Sequence, residues 1–263
     1  MDEYTSFSYT NHIAIASYNI INNHNSHRPP ANTMSSQEAR NLDVLQQRIA
    51  TLNQKYHSLT VDERVKQLYE DFPLDKVMIT SSFAATSAFL LHVFSRIAPK
   101  QKIFFIDTGY HFPQTLDYKK KLTELFKLDV VDVRAEKWKH EFTQKEQTYR
   151  TDPDFCCSIN KVEPLEEIKK DYDVWISGLM RWQSDYRSTL DIFEEHNGII
   201  KFYPLIDVSK QERDNYIKEH NLPFHPLVAK GYSSIGCIHC TMPGDDRSGR
   251  WNNFPKTECG LHL

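Results

Sequence analysis

The chain has 263 residues, a formal charge of −3, and ordinary apolar and charged fractions of 40% and 25%. That length can bury a full α/β core, and the small net charge excludes a general pull toward nucleic acid or an anionic membrane, leaving local cation clusters to bind a small anion. No run approaches the roughly 18 apolar residues of a membrane span.

The opening Met1-Asp2-Glu3 lacks the basic start and apolar core of a secretory signal. With five cysteines, an odd number, a reducing compartment is expected, the cytoplasm by default, where closely spaced thiols serve as metal ligands or redox groups. Residues 1–34, rich in Asn, Ser, Tyr and His, read as a flexible extension. Within it, the apolar stretch His12-Ile13-Ala14-Ile15-Ala16 offers an alternative: docking on the body or on a sister subunit. A single domain with a mobile tail from about residue 241 is expected over 35–263. A homo-oligomer is compatible with the sequence, which does not fix a subunit count.

Ser35-Ser36-Gln37-Glu38 has the form of a capping box, followed by Leu42, Leu45, Ile49 and Leu52 at helical spacing. Thr60-Val61-Asp62-Glu63 repeats the device, and Phe72-Pro73 ends that second helix. From Lys76 the pattern changes to short apolar strands alternating with helices: Val77–Thr80, Ile103–Ile106, Val130–Val133, Val174–Ser177 and Ile199–Tyr203. Continuous apolar runs of this kind predict an α/β fold with a mostly parallel twisted sheet and helices on both faces. In such sheets ligands bind beyond the carboxyl ends of the strands, so the residues after each strand carry the functional information.

After the first strand, the hydroxyl-rich turn Thr80-Ser81-Ser82-Phe83 leads through Ala84 to Ser87 and an apolar helix, a phosphate-binding arrangement or an ordinary Ser/Thr cap. The Walker pattern is absent. After the second strand, Asp107-Thr108-Gly109 either holds a ribose or base edge or makes a plain tight turn. After the fourth, Arg181 and Arg187 lie in a loop where planar guanidinium groups suit phosphate.

Cys156-Cys157 and Cys237-x-x-Cys240 supply four thiols, enough for zinc or an iron–sulfur cluster. Adjacent side chains diverge, which suits a cluster better than one tetrahedral ion; a thioredoxin-like disulfide is the third reading. Cys259 stands apart, on a tail carrying Arg247, Arg250 and Lys256 whose cations favour the nucleophilic thiolate. An idle exposed thiol is the plain alternative.

Cys156-Cys157 with Lys161-Val162-Glu163-Pro164-Leu165, Gly231 through Cys240, Arg247-Ser248-Gly249-Arg250-Trp251 and Lys256-Thr257-Glu258-Cys259-Gly260-Leu261-His262 together resemble the assimilatory adenylyl-sulfate reductases, within the phosphoadenylyl-sulfate reductase family. The likeness runs from about Lys76 to the C-terminus and includes Asp107 through Phe112. It implies an adenine-nucleotide α-hydrolase-like fold, a 4Fe-4S cluster on Cys156, Cys157, Cys237 and Cys240, and Cys259 as nucleophile toward adenylyl sulfate (APS). Cys259 would take the sulfonate as an S-sulfonate, and thioredoxin or a similar dithiol would release sulfite. Lys161, Arg187, Arg247 and Arg250 are expected on the phosphosulfate, Ser81, Ser82 and Phe83 along the nucleotide loop, and Asp107 and Thr108 toward the nucleoside. His262 would orient the tail, share a proton or simply pack.

Two departures matter. Family members usually carry Gly where this chain has Ala84, and Ser81-Ser82-Phe83 partly resembles the loop of enzymes acting on 3′-phosphoadenylyl sulfate (PAPS). The rival readings are therefore the same chemistry on PAPS, a zinc-stabilised nucleotide-binding protein without turnover, and an ATP-using adenylating enzyme.

Overall fold

The computed structural model describes residues 36–251, 254–256 and 258–261, with side chains from residue 42 onward. The expected extension over 1–34, Ser35 with the side chains of the first capping box, and His262 lie outside the described residues. Contacts divide the chain after Gln47. The first unit contributes the beginning of helix α1 (Ser36–Tyr56), and the second, from Arg48, contains the sheet.

Helix α2 (Val61–Asp71) starts where the sequence places it. Thr60 accepts from the backbone of Glu63, and the Glu63 carboxylate returns a bond to the Thr60 N–H; such a box satisfies two otherwise orphaned donors. Phe72, extended ahead of Pro73, closes the helix.

Six strands follow: β1 (Val77–Thr80), β2 (Lys102–Ile106), β3 (Asp129–Val133), β4 (Val174–Ile176), β5 (Phe193–His196) and β6 (Ile199–Phe202). Their order across the sheet is β3-β2-β1-β4-β6-β5, parallel except for β5. The five expected strands are present within a residue of their expected limits; β5 was not foreseen. It pairs with β6 through the two-residue turn Asn197-Gly198, both with positive φ, which matches the twist of a hairpin.

Strand pairing aligns Met78 with Trp175 and Trp175 with Lys201 in one row. Phe104, Ile106, Leu165 and Ile199 join Met78 and Trp175 in a buried cluster on that side, and Leu261 of the tail packs against it. Full burial of side chains this large stabilises the sheet by roughly 1.5–3 kcal/mol each. No helix among the described residues is long and apolar enough to cross a membrane.

Candidate active site

A cavity of about 210 Å³ opens beyond the carboxyl ends of β1 and β4. The turn after β1 forms one wall with Ser81, Ser82, Ala84, Ala85 and Thr86, and the start of helix α3 (Ser87–Ile97) adds Ser87. No side chain caps α3, so its first N–H groups and positive dipole end stand at the wall, an arrangement suited to an anion.

The φ of +48° in this turn falls on Phe83 and not on Ala84. A glycine is therefore not required at 84, and the Ala84 departure introduces no strain. The turn is closed by the Phe83 N–H donating to Ser81 Oγ at 3.2 Å. The Phe83 ring is fully buried, edge-on to Phe105 at 5.7 Å. It does not line the cavity, so its side chain belongs to the core and departs from the expected place on the nucleotide loop.

Asp107 and Thr108, expected toward the nucleoside, do not line this cavity. The Asp107 carboxylate accepts from the Gly109 N–H at 3.0 Å and pairs with Arg134 at 2.6 Å. Burial raises its pKa, but these donors outweigh it and hold it below the ordinary carboxylate value. Thr108 Oγ1 lies 3.4 Å from Cys237 Sγ. Gly109 has φ +71°, and a Cβ there would stand 2.6 Å from the His140 ring, so only glycine fits this turn. His111, unforeseen, lines the cavity; burial holds its pKa down to about 4, leaving a neutral imidazole at pH 7.

The thiol centre is assembled by two elements. Asp152 caps helix α7 (Pro153–Cys157), which, after helices α4 (Pro113–Phe126), α5 (Lys137–Lys145) and α6 (Thr148–Thr151), delivers Cys156 and Cys157. The helix then widens into a π turn, Ser158–Val162, that carries Lys161; such widenings recur at functional sites. The Cys237–Cys240 loop is clipped to the turn after β2: Ile238 N–H donates to the Tyr110 carbonyl at 2.7 Å, and Cys237 bridges to His111.

Cys156, Cys157, Cys237 and Cys240 line one small pocket with Thr108, Tyr110, Tyr149, Asn160 and Lys161. No three His, Cys, Asp or Glu side chains among the described residues are placed to hold a single metal ion. Burial pushes the Cys156 thiol up to about 11 and Cys240 up to about 12, and raises Cys157. The surrounding shell escaped the sequence reading because nothing in its spacing marks it. Asn160 Nδ2 lies 3.7 Å from Cys156 Sγ, and Tyr149 stacks on His239 at 3.9 Å. Trp251 Nε1 and Arg250 Nε are buried without a hydrogen-bond partner.

Cys259, Lys161, Arg187, Arg247 and Arg250 all line the larger cavity, with Ser81 and Ser82. Burial disfavours the Cys259 thiolate, yet Lys161, Arg250 and the Leu261 N–H together bring its pKa below the ordinary thiol value. Arg250 lies directly over Gly236, where a Cβ would meet its guanidinium at 2.2 Å. Arg187, presented by helix α8 (Asp185–Ser188), and Arg247 both bind the buried carboxylate of Glu258, a residue the sequence reading gave no role. The described residues of the tail are docked: Trp251 N–H donates to the Cys240 carbonyl, and Lys256 pairs with Asp154.

Residues 76–243 match the phosphoadenosine phosphosulfate reductase domain. An adenosine 5′-phosphosulfate reductase of Bacillus cereus is 39% identical over 72% of this chain and 84% of its own. A phosphoadenosine 5′-phosphosulfate reductase of Gloeobacter violaceus is 37% identical over 72% and 83%. The crystal structure of phosphoadenylyl-sulfate (PAPS) reductase from Candida auris, a phosphate complex, superposes with a TM-score of 0.66 at 26% identity, covering 80% of this chain and 98% of that one. By the extent of these matches and by its sheet, the chain belongs to the phosphoadenosine phosphosulfate reductase family.

Proposed function

We propose that the protein reduces adenylyl sulfate to sulfite and AMP, with Cys259 as the nucleophile. The observation that carries this is the place of that thiol: it shares one cavity with Ser81, Ser82 and the cations Lys161 and Arg250, which favour its anion. The Cys259 thiolate attacks the sulfonyl sulfur of APS, forming an S–S bond as the S–O bond to phosphate breaks and AMP leaves with that electron pair. Lys161 and Arg250 give the cavity the positive field that favours the charge shifting onto the phosphate oxygens. Ser81, Ser82 and the uncapped helix start hold the nucleotide's phosphate.

A dithiol, thioredoxin or an equivalent, then attacks Cys259 Sγ and displaces sulfite. Its second thiol resolves the mixed disulfide and returns Cys259 as a thiol. Sulfur falls from oxidation state six to four while the dithiol is oxidised to a disulfide, so the two electrons balance. The tail opens for this second step, as a nucleophile that serves two partners requires. Such chemistry belongs in a reducing compartment, the cytoplasm.

The four remaining thiols fit a 4Fe-4S cluster. They line one pocket without converging as a single-ion site. A cluster bound there would supply order and a local field to the Cys156–Lys161 turn. Asn160 and Thr108 would hold their positions against its ligand sulfurs.

PAPS is the second reading, favoured by the Ser81-Ser82-Phe83 loop. The deciding experiment measures sulfite release from APS and from PAPS, at equal concentration, by anaerobically purified protein with a dithiol donor. Faster release from APS is expected; faster release from PAPS changes the substrate, and release from neither removes the reductase reading. Cys259→Ser is expected to abolish release, and a variant that retained it would remove Cys259 from the role.

A further inference from the structure

The residue before the nucleophile is held by four side-chain hydrogen bonds. The Glu258 side chain has 0% exposure. Its Oε1 accepts from Arg187 Nε at 2.8 Å and from Ser184 Oγ at 2.9 Å. Its Oε2 accepts from Arg187 Nη2 at 2.9 Å and from Arg247 Nη2 at 3.0 Å. Four donors thus satisfy two oxygens, the bidentate fork being the most geometrically specific of carboxylate partners. On the other side of Cys259, the Leu261 carbonyl accepts from Lys201 Nζ at 3.4 Å, and the Leu261 side chain packs on the sheet's buried cluster.

The tail is therefore pinned one residue before Cys259 and two residues after it, with the sulfur held between the pins over the cavity. A carboxylate with no exposure is tolerated only while paired, because separating the partners strands charge in a poorly solvated site. Docking through Glu258 is consequently close to all-or-none. Arg187 directs its fork at Glu258 in this docked state, and Arg247 shares the same carboxylate oxygen.

From this we propose that Glu258, Arg187 and Arg247 form a docking lock that positions Cys259 for attack. Arg187 and Arg247 are then positioning residues for the tail, and the charge of the nucleotide sulfate falls to Lys161 and Arg250. The inference rests on the reading of Cys259 as nucleophile.

The test uses the full-length protein with its metal centre intact. Limited trypsin digestion reports tail release by cleavage after Lys256, followed by mass spectrometry of the peptide beginning at Thr257 and normalised to cleavage in the folded body. Glu258→Gln is expected to accelerate that cleavage about tenfold or more, since a neutral amide leaves the two arginines unbalanced. Ser184→Ala, which removes one donor and strands no charge, gives a smaller rise in the same direction and covers the case in which Glu258→Gln fails to fold. In turnover, Arg187→Gln is expected to lower kcat about 10²-fold with KM for the nucleotide held within about twofold, the signature of lost positioning. The double variant Arg187→Gln/Glu258→Gln, whose amides can pair, recovers part of kcat.

Cleavage after Lys256 no faster in Glu258→Gln or Ser184→Ala than in the wild type would overturn the lock. So would an Arg187→Gln variant with KM raised about tenfold and kcat preserved, which would make Arg187 a nucleotide ligand. Absence of sulfite from the wild-type protein would instead remove the reductase reading, and the cleavage comparison would still decide the lock.

Discussion

Lys161 and Cys259 line the same cavity, and Lys161 also lines the pocket of the other four thiols. One ammonium group therefore faces the proposed nucleophile and the proposed metal centre together. Burial disfavours its charge, yet Cys237, Cys157 and Cys259 outweigh burial and raise its pKa above the ordinary lysine value.

Removing that charge should show first in Cys259. Burial alone would raise the thiol's pKa, and Lys161 is the largest influence lowering it. Lys161→Met should shift the pH profile of Cys259 alkylation, followed by mass spectrometry of the modified peptide, to higher pH. Sulfite formation should fall about 10²-fold, the scale of losing one preorganised charge at a reacting centre. An alkylation profile identical to wild type would show that Lys161 does not support the thiolate.

The proposed cluster gives a second prediction that does not depend on turnover. Burial raises the pKa of Cys156, Cys157 and Cys240, so these groups are thiols unless a metal claims their electron pairs. Serine at 156, 157, 237 or 240 should reduce iron and acid-labile sulfide in anaerobically purified protein to background. Serine at 259 should leave both at the wild-type ratio. Loss of iron on changing Cys259, or zinc in place of iron, would refute the assignment of the four thiols.

Most of the sheet was legible because buried parallel strands are written as continuous apolar runs, and the cysteine pairs and tail were legible because chemistry concentrates in recognisable spacings. The strand Phe193–His196 was missed because Glu194, Glu195 and His196 look like a loop, although Asn197-Gly198 is a strong hairpin signal. Glu258 was missed for a different reason. A carboxylate in a tail reads as solvated, and nothing local reveals that Arg187, 71 positions away, meets it.

Phe83 shows the limit of reading a loop by position alone. Its neighbours Ser81 and Ser82 line the cavity, yet its own side chain turns inward to Phe105. Phe83→Ala should destabilise the protein by about 3–5 kcal/mol through the cavity it leaves. Ser82→Ala, at an exposed position, should change stability by no more than about 0.5 kcal/mol and raise KM for the nucleotide. Urea midpoints and initial rates separate the two effects; a Phe83→Ala variant of wild-type stability would contradict the inward placement.

Lys201 supplies a prediction about pH. Its side chain is 1% exposed, on the strand beside Trp175, with Nζ 4.5 Å from that ring. Burial first, and then the nearby Lys169, bring its pKa down to about 7, while Cys259, Glu166 and Glu194 act in the opposite sense. In the unfolded chain a lysine titrates near ~10.4. The unfolded state therefore binds the proton more tightly, and stability must rise with pH between about 7 and 10.4. Below about 7 the full penalty of burying the cation is present; above about 10.4 it is gone. Lys201→Met removes the penalty and also the bond to the Leu261 carbonyl, which offsets part of the gain. Relative to wild type, the variant should be most stabilised at pH 6, and the difference should shrink steadily as urea unfolding is repeated at pH 8 and 9.5. A difference that stays constant across that range would mean that Lys201 keeps an ordinary proton affinity in the folded protein, and that the pin on Leu261 is held by a cation throughout.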